Sequence, residues 1–188
     1  KVLIACVPAA VVGLIFDDIL DKIFYKPLPV AVMLIVYGVL FIIVENRNEG
    51  RKPAVRRISE LDIKMLLWIG AFQMLALIPG TSRSGATIVG ALIIGVSREV
   101  AAEFTFFLAI PVMFGASALK LIKFGFHFTT AEFGFLMLGC VVSFGMSVIA
   151  IKFLMNYIKK NDFKVFGYYR IILGALIILV ALFKMLLG

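Results

Sequence analysis

Gln73-Met-Leu-Ala-Leu-Ile-Pro-Gly-Thr-Ser-Arg-Ser-Gly-Ala-Thr87 decides how this chain folds. Its first half is apolar and runs into Pro79. Its second half gathers hydroxyls, two glycines and an arginine within nine residues, and apolar sequence resumes at Ile88. A polar, irregular segment between greasy runs is tolerated at membrane depth only if it is buried in protein or lines a wet cavity. The surroundings make the membrane the relevant solvent. Of 188 residues, 63% are hydrophobic and 16% charged, and the mean hydropathy is +1.10. A soluble domain is nearer half apolar and a quarter charged.

Working outward, residues 61–78 and 88–96 flank the polar segment. The second of these runs is too short to cross a bilayer, which takes roughly 20 residues. Residues 30–44 form an apolar run on the N-terminal side. On the C-terminal side a helix is predicted over about 97–122, with Ser97 as N-cap and Glu99 in its first turn. Pro111 is expected to kink it. Residues 133–155 and 167–187 are each long enough to span. Gly139, Ser143 and Ser147 fall four apart, a small-residue stripe suited to close helix packing. Residues 17–29 read as a polar turn. The run at 2–16 is short for a span and interrupted by Pro8, so it reads as the end of a longer helix and the chain as an N-terminally truncated piece.

Charge settles the path of the central segment. If residues 61–96 enter and leave on one side, that side collects twelve Lys and Arg, mainly in loops 45–60 and 156–166. The other side keeps five: Lys22, Lys26, Lys120, Lys123 and Lys184. A full crossing would erase this asymmetry, so the positive-inside rule predicts a re-entrant hairpin over about 61–96. The expected fold is therefore all-α: a polytopic membrane helical bundle, one transmembrane domain over 1–188, with a re-entrant helix-loop-helix hairpin. The net charge of +8 is assigned to topology, and no nucleic-acid partner is expected. Cys6 and Cys140 lie in apolar runs and read as small core residues. His127 is the sole histidine, which excludes a two-His metal site within the chain.

The hairpin's chemistry suits an anion. Gly80 and Gly85 permit tight turns and close backbone approach. A second half-helix starting at Ser84 or Gly85 would aim free amides and its positive end at the turn. Ser82, Ser84 and Thr87 add hydroxyls, and Arg83 supplies a fork that holds phosphate oxygens in pairs. An arginine at that depth costs roughly 2.5–3.5 kcal/mol on insertion scales, which makes it a functional candidate. Other readings stay open. The hydroxyls can cap the half-helix, and Arg83 can pair with Glu103. Gln73 either orients a ligand or bonds a neighbouring helix. Gly80-Thr-Ser-Arg-Ser-Gly85 also fits the first part of a P-loop, but Ala86 stands where Lys is required and no strand precedes it.

The same stretch closely resembles the second signature of the bacterial undecaprenyl-diphosphate phosphatases, the bacitracin-resistance family. Gly95-Val-Ser-Arg98, Ala102-Glu-Phe-Thr-Phe-Phe-Leu-Ala-Ile-Pro111 and Val7-Pro-Ala-Ala-Val-Val-Gly-Leu-Ile-Phe16 extend the likeness. The resemblance implies inverted repeats with two re-entrant hairpins, one repeat being incomplete here. It implies hydrolysis of undecaprenyl diphosphate at the outer face of the bacterial inner membrane, recycling the lipid carrier for peptidoglycan, with a divalent cation (Mg or Ca). A homodimer is a possible assembly. On this reading Arg83, Ser82, Ser84 and Thr87 carry catalysis, and Gly80, Thr81, Gly85 and Gln73 hold the phosphate. The family's first signature, acidic and followed by Ser and His, has no match in the chain. The metal ligands and the general acid or base are therefore expected outside it. A transporter or flippase for a phosphorylated lipid is the alternative that the hairpin alone leaves open.

Overall fold

A computed structural model describes residues 1–24, 26–125 and 129–187, with the side chains of residues 14, 16–24, 186 and 187 outside that description. His127 lies outside the described residues. Seven α-helices follow one another among them: α1 (Val2–Phe24), α2 (Pro27–Asn48), α3 (Ile63–Leu75), α4 (Arg83–Ile93), α5 (Arg98–Phe124), α6 (Thr130–Ile158) and α7 (Lys164–Leu187). No β-strand occurs among the described residues. Four helices, α2, α5, α6 and most of α7, are long and apolar enough to cross a membrane. This is an all-α, multi-pass membrane protein.

Local chemistry sets the helix ends. Pro27 falls in the first turn of α2, where its missing N–H costs nothing. Asp62 caps α3 by accepting from Met65 N–H at 2.7 Å. Ser97 caps α5, as its sequence position predicts. Thr129 and Glu132 close a reciprocal capping box on α6. Pro111 lies inside α5 without ending it. The polar turn expected over residues 17–29 is shorter in the structure: α1 continues through Phe24 and α2 opens at Pro27.

The two short helices form a hairpin that returns to the end it left. Gly95 C=O accepts from Ala54 N–H at 2.8 Å, and Ser97 N–H donates to Val55 C=O at 2.9 Å. The strand-like bridge between Val55 and Val96 thus clasps the two ends of the hairpin together. With 1.5 Å rise per residue, the 11 residues of α4 reach about 16 Å inward, around half of a ~30 Å hydrocarbon layer. The hairpin is tied laterally as well. Trp68 Nε1 donates to Gly90 C=O at 3.2 Å, and Asn48 Nδ2 to Leu92 C=O at 2.9 Å.

Helix α4 forms the centre of the core. Every residue from Gly85 to Leu92 is buried, against α3, α5 and α2. A helix buried all round carries apolar or small residues all round, and α4 does. Close packing elsewhere rests on glycine. A Cβ on Gly38 would stand 2.7 Å from Gly167 C=O, and one on Gly174 2.7 Å from Ala31 C=O, so antiparallel α2 and α7 meet backbone to backbone. The Gly139/Ser143/Ser147 stripe plays no such part within the chain. It lies exposed on α6, with nothing within 4 Å of a Cβ on Gly139. Cys140 is exposed beside it, contrary to the core role expected, whereas Cys6 packs against the core.

At the loop end, buried Glu45 pins three elements. It takes hydrogen bonds from Arg98 Nε at 2.8 and 3.0 Å and from Phe163 N–H at 3.0 Å, with Arg98 Nη2 closing the ion pair. Its side chain is 0% exposed, so its charge depends wholly on these partners.

Candidate functional site

The hairpin tip is the place where polar groups meet without mutual satisfaction. Helix α3 stops at Leu75, four residues before Pro79, which has no N–H for the Leu75 carbonyl and whose ring crowds it. Gly80 then takes φ +93. A Cβ there would stand 2.5 Å from Val30 C=O, so only glycine lets the turn lie against α2. Ser82 is the N-cap of α4, which begins at Arg83, a residue or two earlier than the sequence suggests. Its Oγ accepts from Gly85 N–H at 3.3 Å and lies 3.3 Å from Ser84 Oγ. Ser82 also has φ +62, the sole positive value among the described non-glycine residues. With ψ 118 it lies outside the left-handed helical region too, and such a backbone costs on the order of 1–3 kcal/mol.

Four buried polar atoms at the tip have no partner: Gln73 Oε1 and Nε2, Thr81 Oγ1 and Arg83 Nη1. Gln73 is 2% exposed and Thr81 fully buried. Each such atom costs about 1–3 kcal/mol if left so, and a cluster of them in a native fold calls for a ligand or ordered water. The N–H groups of Ser82, Arg83 and Ser84 also have no partner among the described residues. They belong to the free amides of a helix start, and the helix dipole adds positive potential there. Ser84 is exposed, while Ser82 and Arg83 are half-buried. The tip therefore presents hydroxyls, amides and an unpaired guanidinium to one region, a donor set for a phosphate.

Two expected residues are placed differently. Thr87 is fully buried and turned inward. Its Oγ1 lies 3.1 Å from Arg83 C=O, 3.1 Å from Ser84 C=O and 2.9 Å from Thr105 Oγ1 on α5. Its one proton is committed to the frame, so it fastens α4 to α5. Glu103 is exposed and makes no ion pair with Arg83. Arg83 has no carboxylate partner among the described residues.

One residue at the tip was missed. Arg170, on α7, donates from Nη1 to Thr81 C=O at 3.1 Å. Its Nη1 and Nη2 lie 3.0 Å from where a Gly85 Cβ would stand, and its Cζ sits 5.3 Å from the centre of the Phe41 ring. By sequence it counts among the twelve basic residues of the cytoplasmic side; the structure instead brings its guanidinium to the hairpin tip. A cleft of about 800 Å³ lies instead at the other end of α4, among Arg51, Lys52, Arg56 and Lys159, and the tip does not line it.

Comparison with known proteins decides the family. The model described as Bacitracin resistance protein BacA matches residues 1–176. The chain belongs to the bacitracin resistance protein BacA family. Among BacA relatives, the undecaprenyl-diphosphatase of Acetivibrio thermocellus is 64% identical over 95% of this chain and 66% of its own length. That of Enterococcus faecalis is 61% identical over 96% of this chain and 65% of its own length. That of Lactococcus lactis subsp. lactis is 56% identical over all of this chain and 68% of its own length. The chain thus spans about two thirds of the length of the BacA relatives it matches.

Proposed function

We propose that the protein acts as a phosphatase on undecaprenyl diphosphate, releasing phosphate and returning the monophosphate carrier to peptidoglycan synthesis. One observation carries the reading: the half-buried Arg83 at the start of α4, without a partner among the described residues and beside orphaned polar atoms, in a chain whose relatives are named undecaprenyl-diphosphatase. Phosphoryl transfer is governed by positioning and by stabilising charge on the equatorial oxygens. Arg83 clamps two of those oxygens through its fork. Ser82 and Ser84 donate hydroxyl protons, and the free amides of the first turn face the same charge. Thr81 and Gln73, buried beneath, orient what the hydroxyls and guanidinium hold. Gly80 and Gly85 keep the backbone close, and Thr87 keeps α4 seated.

The family resemblance implies a divalent cation. The tip supplies donors, not anionic ligands, and among the described residues no three of His, Cys, Asp and Glu stand together. These residues fit the phosphate and do not fit the cation, so no step is derived through a metal here.

The setting we propose is the bacterial cytoplasmic membrane, with residues 61–96 re-entrant from the basic, cytoplasmic side and the tip open to the outer side. The clasped hairpin ends and the charge asymmetry support this orientation. A homodimer through α6 is the corresponding assembly: residues 131–153 are exposed throughout, and Cys140 there offers a cross-linking test. The function is tested by phosphate release from the lipid diphosphate in detergent. No gradient exists there, so a pure transporter or flippase releases none.

A further inference from the structure

Arg170 belongs to a different helix from the hairpin, yet its guanidinium is built into the hairpin's turn. Thr81 C=O receives its hydrogen bond, Phe41 of α2 lies under its plane, and Gly85 leaves it the space of a missing side chain. No carboxylate pairs with it among the described residues.

The bond to Thr81 has a geometric consequence. A trans peptide points its C=O and the following N–H in opposite directions. Drawing Thr81 C=O toward α7 turns Ser82 N–H away from α7. Ser82 is the residue held at positive φ, a conformation that serine does not favour by itself. The same guanidinium rests against the first turn of α4, whose positive end and Arg83 repel it. This arrangement becomes favourable when an anion sits among the three positive groups.

We propose that Arg170 is a positioning residue of the anion site: it fixes the Thr81–Ser82 peptide, so that the Ser82 cap and the free amides of α4 face the ligand, and it adds its charge to that of Arg83. The identity of the ligand as a diphosphate rests on the function proposed above. Lysine does not replace it, because an ammonium has neither the plane that lies on Phe41 nor the fork that fits beside Gly85.

The experiment compares wild type with Arg170→Met, Arg170→Lys and Gly85→Ala. Amide hydrogen exchange is followed over residues 79–87, with residues 44–48 at the far end of α2 as internal control. Binding of inorganic pyrophosphate is measured in parallel. Arg170→Met is expected to speed exchange at the bonded amides of Thr81, Gly85 and Ala86 at least tenfold, to leave the α2 control within threefold, and to weaken pyrophosphate at least tenfold. Arg170→Lys recovers less than half of the lost protection on a logarithmic scale. Gly85→Ala displaces the guanidinium and gives the same exchange signature even if Arg170→Met fails to fold. Combining Gly85→Ala with Arg170→Met adds no further loss. Wild-type exchange at those amides in both Arg170→Met and Gly85→Ala overturns the proposal. Absence of phosphate release by wild type would instead remove the phosphatase reading, and the exchange data would still decide the role of Arg170.

Discussion

Thr87 Oγ1 and Thr105 Oγ1 lie 2.9 Å apart in the buried contact between α4 and α5. Sequence proximity to Arg83 makes Thr87 look like a phosphate ligand, but its hydroxyl also lies 3.1 Å from two carbonyls of its own helix. Removing one member of a buried hydroxyl pair leaves the other unsatisfied, at about 1–3 kcal/mol, whereas removing both is nearly neutral. Thermal unfolding in detergent should show Thr87→Val destabilising, since it strands the Thr105 hydroxyl, Thr105→Val milder, since Thr87 still donates to a carbonyl of its own helix, and the double variant no worse than Thr87→Val. Additive losses would mean the two hydroxyls act separately.

Glu45 offers the largest stability effect outside the hairpin. Its buried carboxylate is held by Arg98 and by Phe163 N–H. Arg98→Ala leaves the buried Glu45 carboxylate with Phe163 N–H alone and should cost about 3–5 kcal/mol. Chemical denaturation of purified protein measures this. A loss below about 1 kcal/mol would show that the pair is not needed to join α2, α5 and the start of α7.

Ser82 combines strain with a cap, and two substitutions separate them. Ser82→Ala keeps the strained φ and loses the cap, a cost of about 1 kcal/mol. Ser82→Gly loses the cap oxygen but adopts φ +62 freely, so it should be the more stable variant. Both should lower phosphate release, since both remove the hydroxyl. The reverse order of stability would contradict the strain.

Gly38 tests the glycine contact between α2 and α7. A Cβ there would stand 2.7 Å from Gly167 C=O and from Ile171 Cγ1. Gly38→Val should cost at least about 1–3 kcal/mol, the usual penalty for overpacking. Gly139→Val, on the open face of α6, should change monomer stability by under about 0.5 kcal/mol.

Much of this was readable in the chain. The long apolar helices, the Ser97 cap and the hairpin follow from local patterns: run length, cap residues, proline and loop charge. That Ser82, Arg83 and Gly85 share one turn is legible because the residues are neighbours. What stayed hidden depends on contacts between distant positions. Arg170 and Glu45 resemble ordinary charges at helix ends until α7 is laid against α2. The Gly38, Gly167 and Gly174 contact has no visible period across two helices so far apart in sequence, while the regular stripe on α6 drew attention and packs against nothing in the chain. The bond of Thr87 to Thr105 is hidden for the same reason, since Thr105 lies on the next helix.

The most direct test of the account is Arg83→Ala, with phosphate release from a prenyl diphosphate measured for purified wild type and variant under identical detergent conditions. The clamp predicts a fall of at least about a hundredfold, comparable to losing one strong charge stabiliser, with the thermal midpoint little changed. Release within about threefold of wild type would contradict the assignment of the hairpin tip as the phosphate site.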